Sequence, residues 1–430
     1  MSAQEHRKET VEKQIEISSN LATPVLKADK RQNAFIRIAL SGYELESEIE
    51  KTPLNVAIVL DQSSSMSGEK IYQAKHAAWM AINQLDENDI VSIVTYDSKV
   101  RVLVPATLAR DKHYLNQKIN EIRARGKTAL YAGTKQGANE VKKFLNNVQV
   151  NRVVLLSDGQ ANVGPSSSYD LGLLGADLAS NGISVSTIGL GLNYNEDLMT
   201  QLAVYSDGNH YFVEHADELA SIFKKEFGLA QTILAQNIDI NINLAEGVMP
   251  IRILGRQGNI KGNKVSTSIN QIYAEQEGHV ILEVSIPANL SNSTQNIANI
   301  TVDYDHMQEN KRLTLNDLVT ATFSDSAEEI QESVHKPSYE AAIRQVANEN
   351  RKRAVELRDQ GKRDEASSLI VSSSSLLSEA ADYISSDALR HESVESQKEI
   401  ESIQSQNDHE WNRARKELKL QTYQLDKQQQ

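Results

Sequence analysis

Five side chains with oxygen donors stand in three separate segments of the sequence. Asp61, Ser63 and Ser65 follow directly on an apolar run, and the other two segments contain Thr128 and Asp158. Carboxylates and hydroxyls are hard ligands that suit Mg²⁺, which requires octahedral oxygen coordination and keeps several waters. If the segments meet in the fold, these five side chains can hold Mg²⁺, with Mn²⁺ or Ca²⁺ as alternatives. Because only two of the donors are acids, the ion would stay electrophilic and accept a further carboxylate from outside.

The elements around these segments predict that the segments do meet. Short apolar runs rich in Val and Ile alternate with longer amphipathic stretches, a pattern typical of a parallel sheet covered by helices. The predicted strands are 54–60, 89–96, 152–157 and 183–190, the predicted helices are 69–85, 132–147 and 168–180, and 99–105 is a predicted antiparallel edge strand. In such a doubly wound α/β sheet, ligands bind at the carboxyl ends of the strands, where Asp61 and Asp158 stand.

The same residues resemble a known family. Asp61-x-Ser63-x-Ser65, Thr128 within GKTALYAG and Asp158 within VVLLSDG match the metal-ion-dependent adhesion site of von Willebrand factor type A (VWA) domains. The resemblance implies a Rossmann-like α/β domain in which the three hydroxyls touch the metal directly and the two aspartates act largely through waters. It also implies that an Asp or Glu of a partner protein completes the metal's coordination shell.

The segments that flank this domain follow different patterns. Two strand-like runs precede it, and residues 236–323 alternate between apolar and polar positions, as in an antiparallel sheet with one wet face. From residue 327 the apolar residues take helical spacing, which predicts a helical hairpin, a third polar helix and a frayed end at residues 424–430. The predicted divisions are 1–52, N-terminal strands joining a β-sandwich; 53–230, the VWA domain; 231–325, the β-sandwich; and 326–430, the helical tail.

Composition excludes several classes of protein. The 430 residues include 45 Lys and Arg against 58 Asp and Glu, a net charge of −13, which disfavours nucleic-acid binding because a phosphate backbone favours a basic surface. The absence of cysteine excludes disulfides, thiolate metal sites, iron–sulfur clusters and cysteine nucleophiles. No apolar run approaches the roughly 18–20 residues that span a bilayer, so we expect no transmembrane segment.

Two features of the sequence bear on the compartment. The first twenty residues are polar and lack an apolar signal core, which fits either a cytoplasmic protein or the mature form of an exported one. The layout of the chain resembles bacterial VWA proteins related to the inter-alpha-trypsin inhibitor heavy chains. Many proteins of that layout are exported, so the resemblance favours a periplasmic or cell-surface location, with the cytoplasm as the alternative.

Other motifs point less clearly to chemistry. Gly126-Lys127-Thr128 lacks the glycine that a phosphate-binding loop needs five residues earlier, where Glu121 stands. Gly189-Leu190-Gly191 lacks the third glycine of a dinucleotide fingerprint, because Tyr194 occupies that position. The histidines form no H-E-x-x-H motif, and no G-x-S-x-G elbow is present. Asp97 ends a predicted strand, and a turn-capping role is favoured for it over a metal ligand.

The sequence therefore predicts a non-enzymatic binding protein that captures an acidic residue of a partner protein through the metal. One alternative is a structural or assembly protein that binds through the β-region and helical tail, with the metal only stabilising a loop. Another is a hydrolase with a metal-activated water, but the only acids of the set, Asp61 and Asp158, are already committed to the metal.

Overall fold

The computed structural model describes residues 14–44, 52–146, 149–230, 232–307 and 309–428. These residues form two compact units. The first unit contains the described residues from 52 to 233 together with 307, 309 and 310, and the second contains 14–44, 234–306 and 311–428. The first unit is therefore an insertion in the sequence of the second. Residues 1–13, within the predicted N-terminal segment, lie outside the described residues.

Three strands of the second unit come first in the described chain. They are β1 (Ile15–Leu21), β2 (Val25–Lys27) and β3 (Gln32–Gly42). β1 and β3 pair in antiparallel fashion, with Ile15 opposite Gly42. Two of these strands were predicted, whereas β2, with only three residues, is too short for alternation to reveal it.

The inserted unit is a six-stranded sheet in the order β6-β5-β4-β7-β8-β9, parallel except for β6 at the edge. Its strands are β4 (Leu54–Asp61), β5 (Ile90–Tyr96), β6 (Val100–Leu108), β7 (Val150–Ser157), β8 (Ser184–Leu190) and β9 (His210–Val213). The four central strands are buried along their whole length, as strands of a sheet covered on both faces should be. The predicted doubly wound α/β fold is confirmed.

Helices connect these strands and provide the cover. They are α1 (Glu69–Gln84), α2 (Lys112–Asn120), α3 (Leu130–Lys142), α4 (Ser168–Ser180), α5 (Glu196–Ser206) and α6 (Leu219–Ala230). The strand order reverses at β4, which has β5 on one side and β7 on the other. The loops after β4 and β7 therefore meet at the position where open α/β sheets bind ligands.

The second unit contains two further sheets built from both ends of its sequence. Its later strands are β10 (Ile233–Leu244), β11 (Met249–Leu254), β12 (Gly258–Lys261), β13 (Lys264–Tyr273), β14 (Glu277–Ile286), β15 (Thr294–His306) and β16 (Lys311–Ser324). One sheet has the order β1-β3-β14-β11 and the other has the order β12-β13-β10-β15-β16-β2. The strands before the inserted unit thus pair with strands that follow it.

The chain ends in helices that belong to the same unit. They are α7 (Ala327–Glu332), α8 (Lys336–Asp359), α9 (Arg363–Ile384), α10 (Asp387–Gln404) and α11 (Asp408–Lys427). The prediction of a frayed end is wrong for residues 424–427, because α11 continues to Lys427. The side-chain amide of Gln428 then accepts from the His279 N–H at 2.6 Å and donates to the His279 carbonyl at 2.7 Å. Residues 429–430 lie outside the described chain.

None of the helices in the described parts of the chain is both long enough and apolar enough to cross a membrane.

Candidate metal centre

The two predicted aspartates lie at the switch point of the sheet. Asp61 is the last residue of β4, and Asp158 comes directly after β7. Oδ1 of Asp61 accepts the Ser63 N–H at 2.8 Å, which closes a turn of the Asx type, and Oδ2 accepts the Ser157 hydroxyl at 2.7 Å. Both carboxylates are fully buried. The loop after β4 is thus held against the end of β7 by the carboxylate of Asp61.

A chain of short contacts links the hydroxyls of the first segment to the third. The Oγ atoms of Ser63 and Ser65 lie 3.0 Å apart, and Ser65 Oγ donates to Asp158 Oδ1 at 2.7 Å. Ser63 is buried, whereas Ser65 is exposed to solvent. These oxygen atoms therefore extend from the buried carboxylates to the surface.

Thr128 reaches the same place from the second segment. A methyl group on Gly159 would lie 3.4 Å from both Ser65 Oγ and Thr128 Oγ1, so the two hydroxyls face the same small space. Asn162 fixes this threonine, because its Oδ1 accepts the Thr128 N–H at 2.8 Å and its own N–H donates to the Thr128 carbonyl at 3.1 Å. Sequence reasoning missed Asn162, since nothing in its spacing marks it as a partner of Thr128.

Backbone contacts hold the first and second segments together. The Ser64 N–H donates to the Gly126 carbonyl at 3.1 Å, and the Arg125 N–H donates to the Gln62 carbonyl at 2.6 Å. Gly126 has φ +75°, and a Cβ there would lie 3.2 Å from the Asp97 Cβ. Glycine is required at this turn because other residues rarely adopt that backbone conformation and would be crowded.

Asp97 stabilises these loops through hydrogen bonds and is not one of the five predicted metal ligands. Its Oδ1 accepts the Lys99 N–H at 2.8 Å, which is the predicted turn-capping contact. Its Oδ2 accepts from Gln62 Nε2 at 2.6 Å, from Arg101 at 2.7 Å and from Arg125 at 3.1 Å. Burial would raise the pKa of Asp97, but the hydrogen bonds led by Arg101 outweigh it and lower the pKa to about 2.

The two buried acids of the site differ in their electrostatic surroundings. Burial raises the pKa of Asp61 to about 6, and the nearby charge of Asp158 adds to this, against the hydrogen bonds from Ser63 and Ser157. Asp158 instead has a cation beside it, because its Oδ2 forms an ion pair with Lys70 Nζ in the first turn of α1. Sequence reasoning also missed Lys70, although its place at the start of the predicted helix, directly after the loop with Ser63 and Ser65, indicates that it lies near the site.

The structure thus brings all five predicted donors together, and their chemistry fits a magnesium-type ion. The set consists of two carboxylates and three hydroxyls, all hard oxygen donors. In the described chain no group of three or more His, Asp or Glu side chains is placed to hold a metal. A site here would therefore depend on hydroxyls, which leaves the ion more electrophilic than a cage of carboxylates would.

Comparison with known proteins identifies the inserted unit. The profile of the von Willebrand factor type A domain matches residues 55–225. The chain contains a VWA domain. It is 27% identical over 211 residues to the uncharacterized protein sll0103 of Synechocystis, covering 49% of this chain and 49% of that protein. It is 24% identical over 248 residues to inter-alpha-trypsin inhibitor heavy chain H3 of Rattus norvegicus, covering 53% of this chain and 27% of that protein.

The likeness to solved structures extends beyond the VWA domain. A von Willebrand factor type A protein from Catenulispora acidiphila has a TM-score of 0.73 at 13% identity, covering 95% of this chain and 96% of that one. At this identity the match shows the fold. The sequence matches are shorter, so the chain spans about half the length of sll0103 and about a quarter of heavy chain H3.

Proposed function

We propose that the VWA domain holds a divalent metal, with Mg²⁺ as the first candidate, and through it binds an acidic side chain of a partner protein. The observation that carries this proposal is the convergence of Asp61, Ser63, Ser65, Thr128 and Asp158 at the switch point of the sheet. The hydroxyls would coordinate the ion, and the two aspartates would support it largely through waters. When bound, the ion supplies an electrophilic position that a carboxylate oxygen can occupy.

The burial of the donors gives the site a direction. Asp61 and Asp158 are fully buried, whereas Ser65 is exposed. Buried acids cannot be reached by a partner, so the partner's carboxylate would approach from the side of Ser65. The exposed loop residues around that opening would then set specificity.

The charges around the opening favour an acidic partner. Arg101 and Arg125 lie on Asp97 beneath the loops, and Lys127 is exposed next to Thr128. The whole chain has a net charge of −13, and these cations lie near the site, where two of them share the charge of Asp97. A locally positive face attracts an acidic partner that the overall charge would repel.

The contacts of the two acids favour binding over hydrolysis. Asp61 accepts hydrogen bonds from Ser63 and Ser157, and Asp158 accepts from Ser65 and pairs with Lys70. A metal-assisted hydrolase needs a general base within hydrogen-bond reach of the attacking water. Both acids are buried and already engaged by these partners in supporting the site, which disfavours a role as general base, and we infer that the domain is not enzymatic.

The experiment replaces Ser63 by Ala in the full chain, with Ser64→Ala as the matched control. Ser64 lies in the same loop, but its side chain is exposed and is not one of the five donors. We expect Ser63→Ala to weaken Mn²⁺ binding, followed by electron paramagnetic resonance, at least about tenfold, because one direct ligand is lost. The wild type should capture proteins from an extract of its own organism in Mg²⁺ but not in EDTA, and Ser63→Ala should fail to capture them.

Ser64→Ala should behave as the wild type in both assays. Equal Mn²⁺ affinity in Ser63→Ala and the wild type would refute the metal site. Capture that persists in EDTA would instead place the partner surface elsewhere on the chain.

A further inference from the structure

We propose that Lys70 is a charge gate of the metal site, which weakens binding of the ion alone and favours binding of the ion together with an acidic partner. The inference rests on the proposed function. Its basis is the ion pair between Lys70 Nζ and Asp158 Oδ2, in which the aspartate is fully buried and the lysine side chain is 32% exposed. Lys70 thus extends from the surface into the site.

The position of Lys70 is not explained by the stability of its helix. It lies in the first turn of α1, where the positive end of the helix dipole disfavours a cation. Lys70 Nζ also lies 4.0 Å from the place that a Cβ of Gly191 would take, in the loop after β8. The ammonium group therefore lies between the loops that follow β7 and β8, and its contact with Asp158 provides the compensating interaction.

Within the described residues, the hydrogen bonds of Asp61 come from uncharged groups. Its two oxygens accept from the Ser63 N–H and the Ser157 hydroxyl, which are neutral donors. The carboxylates and Lys70 together carry a charge of −1. A divalent ion would bring the site to +1, and the carboxylate of a partner would then bring it to zero.

Without Lys70 the same steps end at different charges. The ion alone would bring the site to zero, and a partner carboxylate would make it −1. Because charges interact strongly at a buried site, the arrangement closest to neutral is favoured. Lys70 therefore shifts the favoured state from the ion alone to the ion with an acidic ligand.

The test measures Mn²⁺ affinity of the full chain by electron paramagnetic resonance, with acetate as the carboxylate probe. Lys70→Gln should bind Mn²⁺ about tenfold more tightly than the wild type in chloride, because one repelling charge is gone. Added acetate, at matched ionic strength, should raise the affinity of the wild type more than that of Lys70→Gln. Lys70→Arg keeps the charge and should remain close to the wild type.

Lys142→Gln is the matched control for the loss of a charge. Lys142 is exposed at the far end of α3, about 20 Å along the helix from the end next to Thr128. It should leave Mn²⁺ affinity unchanged. The metal-induced rise in the melting temperature should be larger in Lys70→Gln than in the wild type, which gives a second readout.

Three outcomes would overturn the inference. If Lys70→Gln and the wild type bind Mn²⁺ with equal affinity while Ser63→Ala does not bind it, the gate is refuted and the metal site stands. Equal tightening in Lys70→Arg would show that charge is not the cause. If neither the wild type nor Lys70→Gln binds Mn²⁺, both the gate and the proposed function fail.

Discussion

Asp61 and Asp97 are both buried carboxylates, but their surroundings shift their pKa values in opposite directions. Asp97 accepts hydrogen bonds from two arginines, which keep it ionised, and its pKa falls to about 2. Asp61 accepts from the neutral donors Ser63 and Ser157, and burial raises its pKa to about 6. A cation near Asp61 would remove the cost of burying its charge, which is what a bound metal would supply.

We therefore expect Asp61→Asn to stabilise the metal-free VWA domain at pH 8. The rise in the pKa of Asp61 from 3.8 to about 6 corresponds to an upper limit of about 3 kcal/mol in the free energy of unfolding. Asparagine can still accept the Ser63 N–H, so the turn is retained. Urea unfolding in EDTA measures the gain, and addition of Mg²⁺ should stabilise the wild type but not the variant.

The pH dependence provides the control for this prediction. Because the folded pKa of Asp61 lies above its unfolded value of 3.8, its favourable contribution is fully present below about pH 4 and is lost as the pH rises through about 6. The advantage of Asp61→Asn should therefore be larger at pH 8 than at pH 5. An advantage that is absent at pH 8, or independent of pH, would show that Asp61 bears no such cost.

At this scale the sequence predicted the donors but not the residues that position them. The convergence of the five residues could be expected because each of their segments follows a predicted strand or precedes a helix. Asn162 and Lys70 were missed because their contacts depend on the path of a loop and on the rotational phase of α1. The turn at Asp97 was correctly predicted, but its pairing with Arg101 in β6 and with the distant Arg125 depends on the packing around it.

At the scale of elements, α3 is held close to the sheet by small residues. A Cβ on Gly133 would lie 2.6 Å from the ring of Tyr96, and a Cβ on Gly137 would lie 2.4 Å from Val59 Cγ2. Tyr96 in turn donates to the Leu156 carbonyl at 3.0 Å. Because α3 begins two residues after Thr128, this close approach also sets the position of that proposed ligand.

We expect Gly137→Ala to lower the free energy of unfolding of the VWA domain by about 1–3 kcal/mol, since the added methyl overpacks against β4. Gly228→Ala is the matched control. It lies in α6 with open space around its Cβ position, so alanine should raise the free energy of unfolding by about 0.5–1 kcal/mol through helix propensity. Urea unfolding followed by circular dichroism gives both signs, and a stabilised Gly137→Ala would contradict the packing.

The elements found from sequence were those with a strong pattern. The four central strands of the VWA domain are apolar at nearly every position, so their prediction was straightforward. The pattern of β13 is weaker, because Thr267 occupies one of its buried positions and interrupts the alternation of Val265 and Ile269. The fraying predicted for the end of α11 failed because the contact of Gln428 with His279 joins residues 149 positions apart.

At the scale of the whole molecule, the VWA domain interrupts the sequence of a second unit with its own core. β3 pairs with β14 from Gln32 opposite Ile286 to Ser41 opposite Glu277, across the entire insertion. Local patterns cannot give such a register, because it depends on which distant strands meet. The core of the VWA domain likewise consists of side chains from its own strands and helices, among them Val59, Val94 and Leu155.

Because each unit has its own core, we expect calorimetry of the full chain to resolve two unfolding transitions. Mg²⁺ at about 100 times its Kd should add about 2.7 kcal/mol to the VWA domain, which raises the temperature of that transition by about 5–10 °C and leaves the other unchanged. Gln428→Ala should lower the temperature of the second unit's transition and leave that of the VWA domain unchanged. Losing its two hydrogen bonds destabilises only the second unit, by about 1–2 kcal/mol. Ser63→Ala should keep both transitions and lose the response to Mg²⁺. A Mg²⁺ shift of both transitions together would show that the metal does not act within the VWA domain alone.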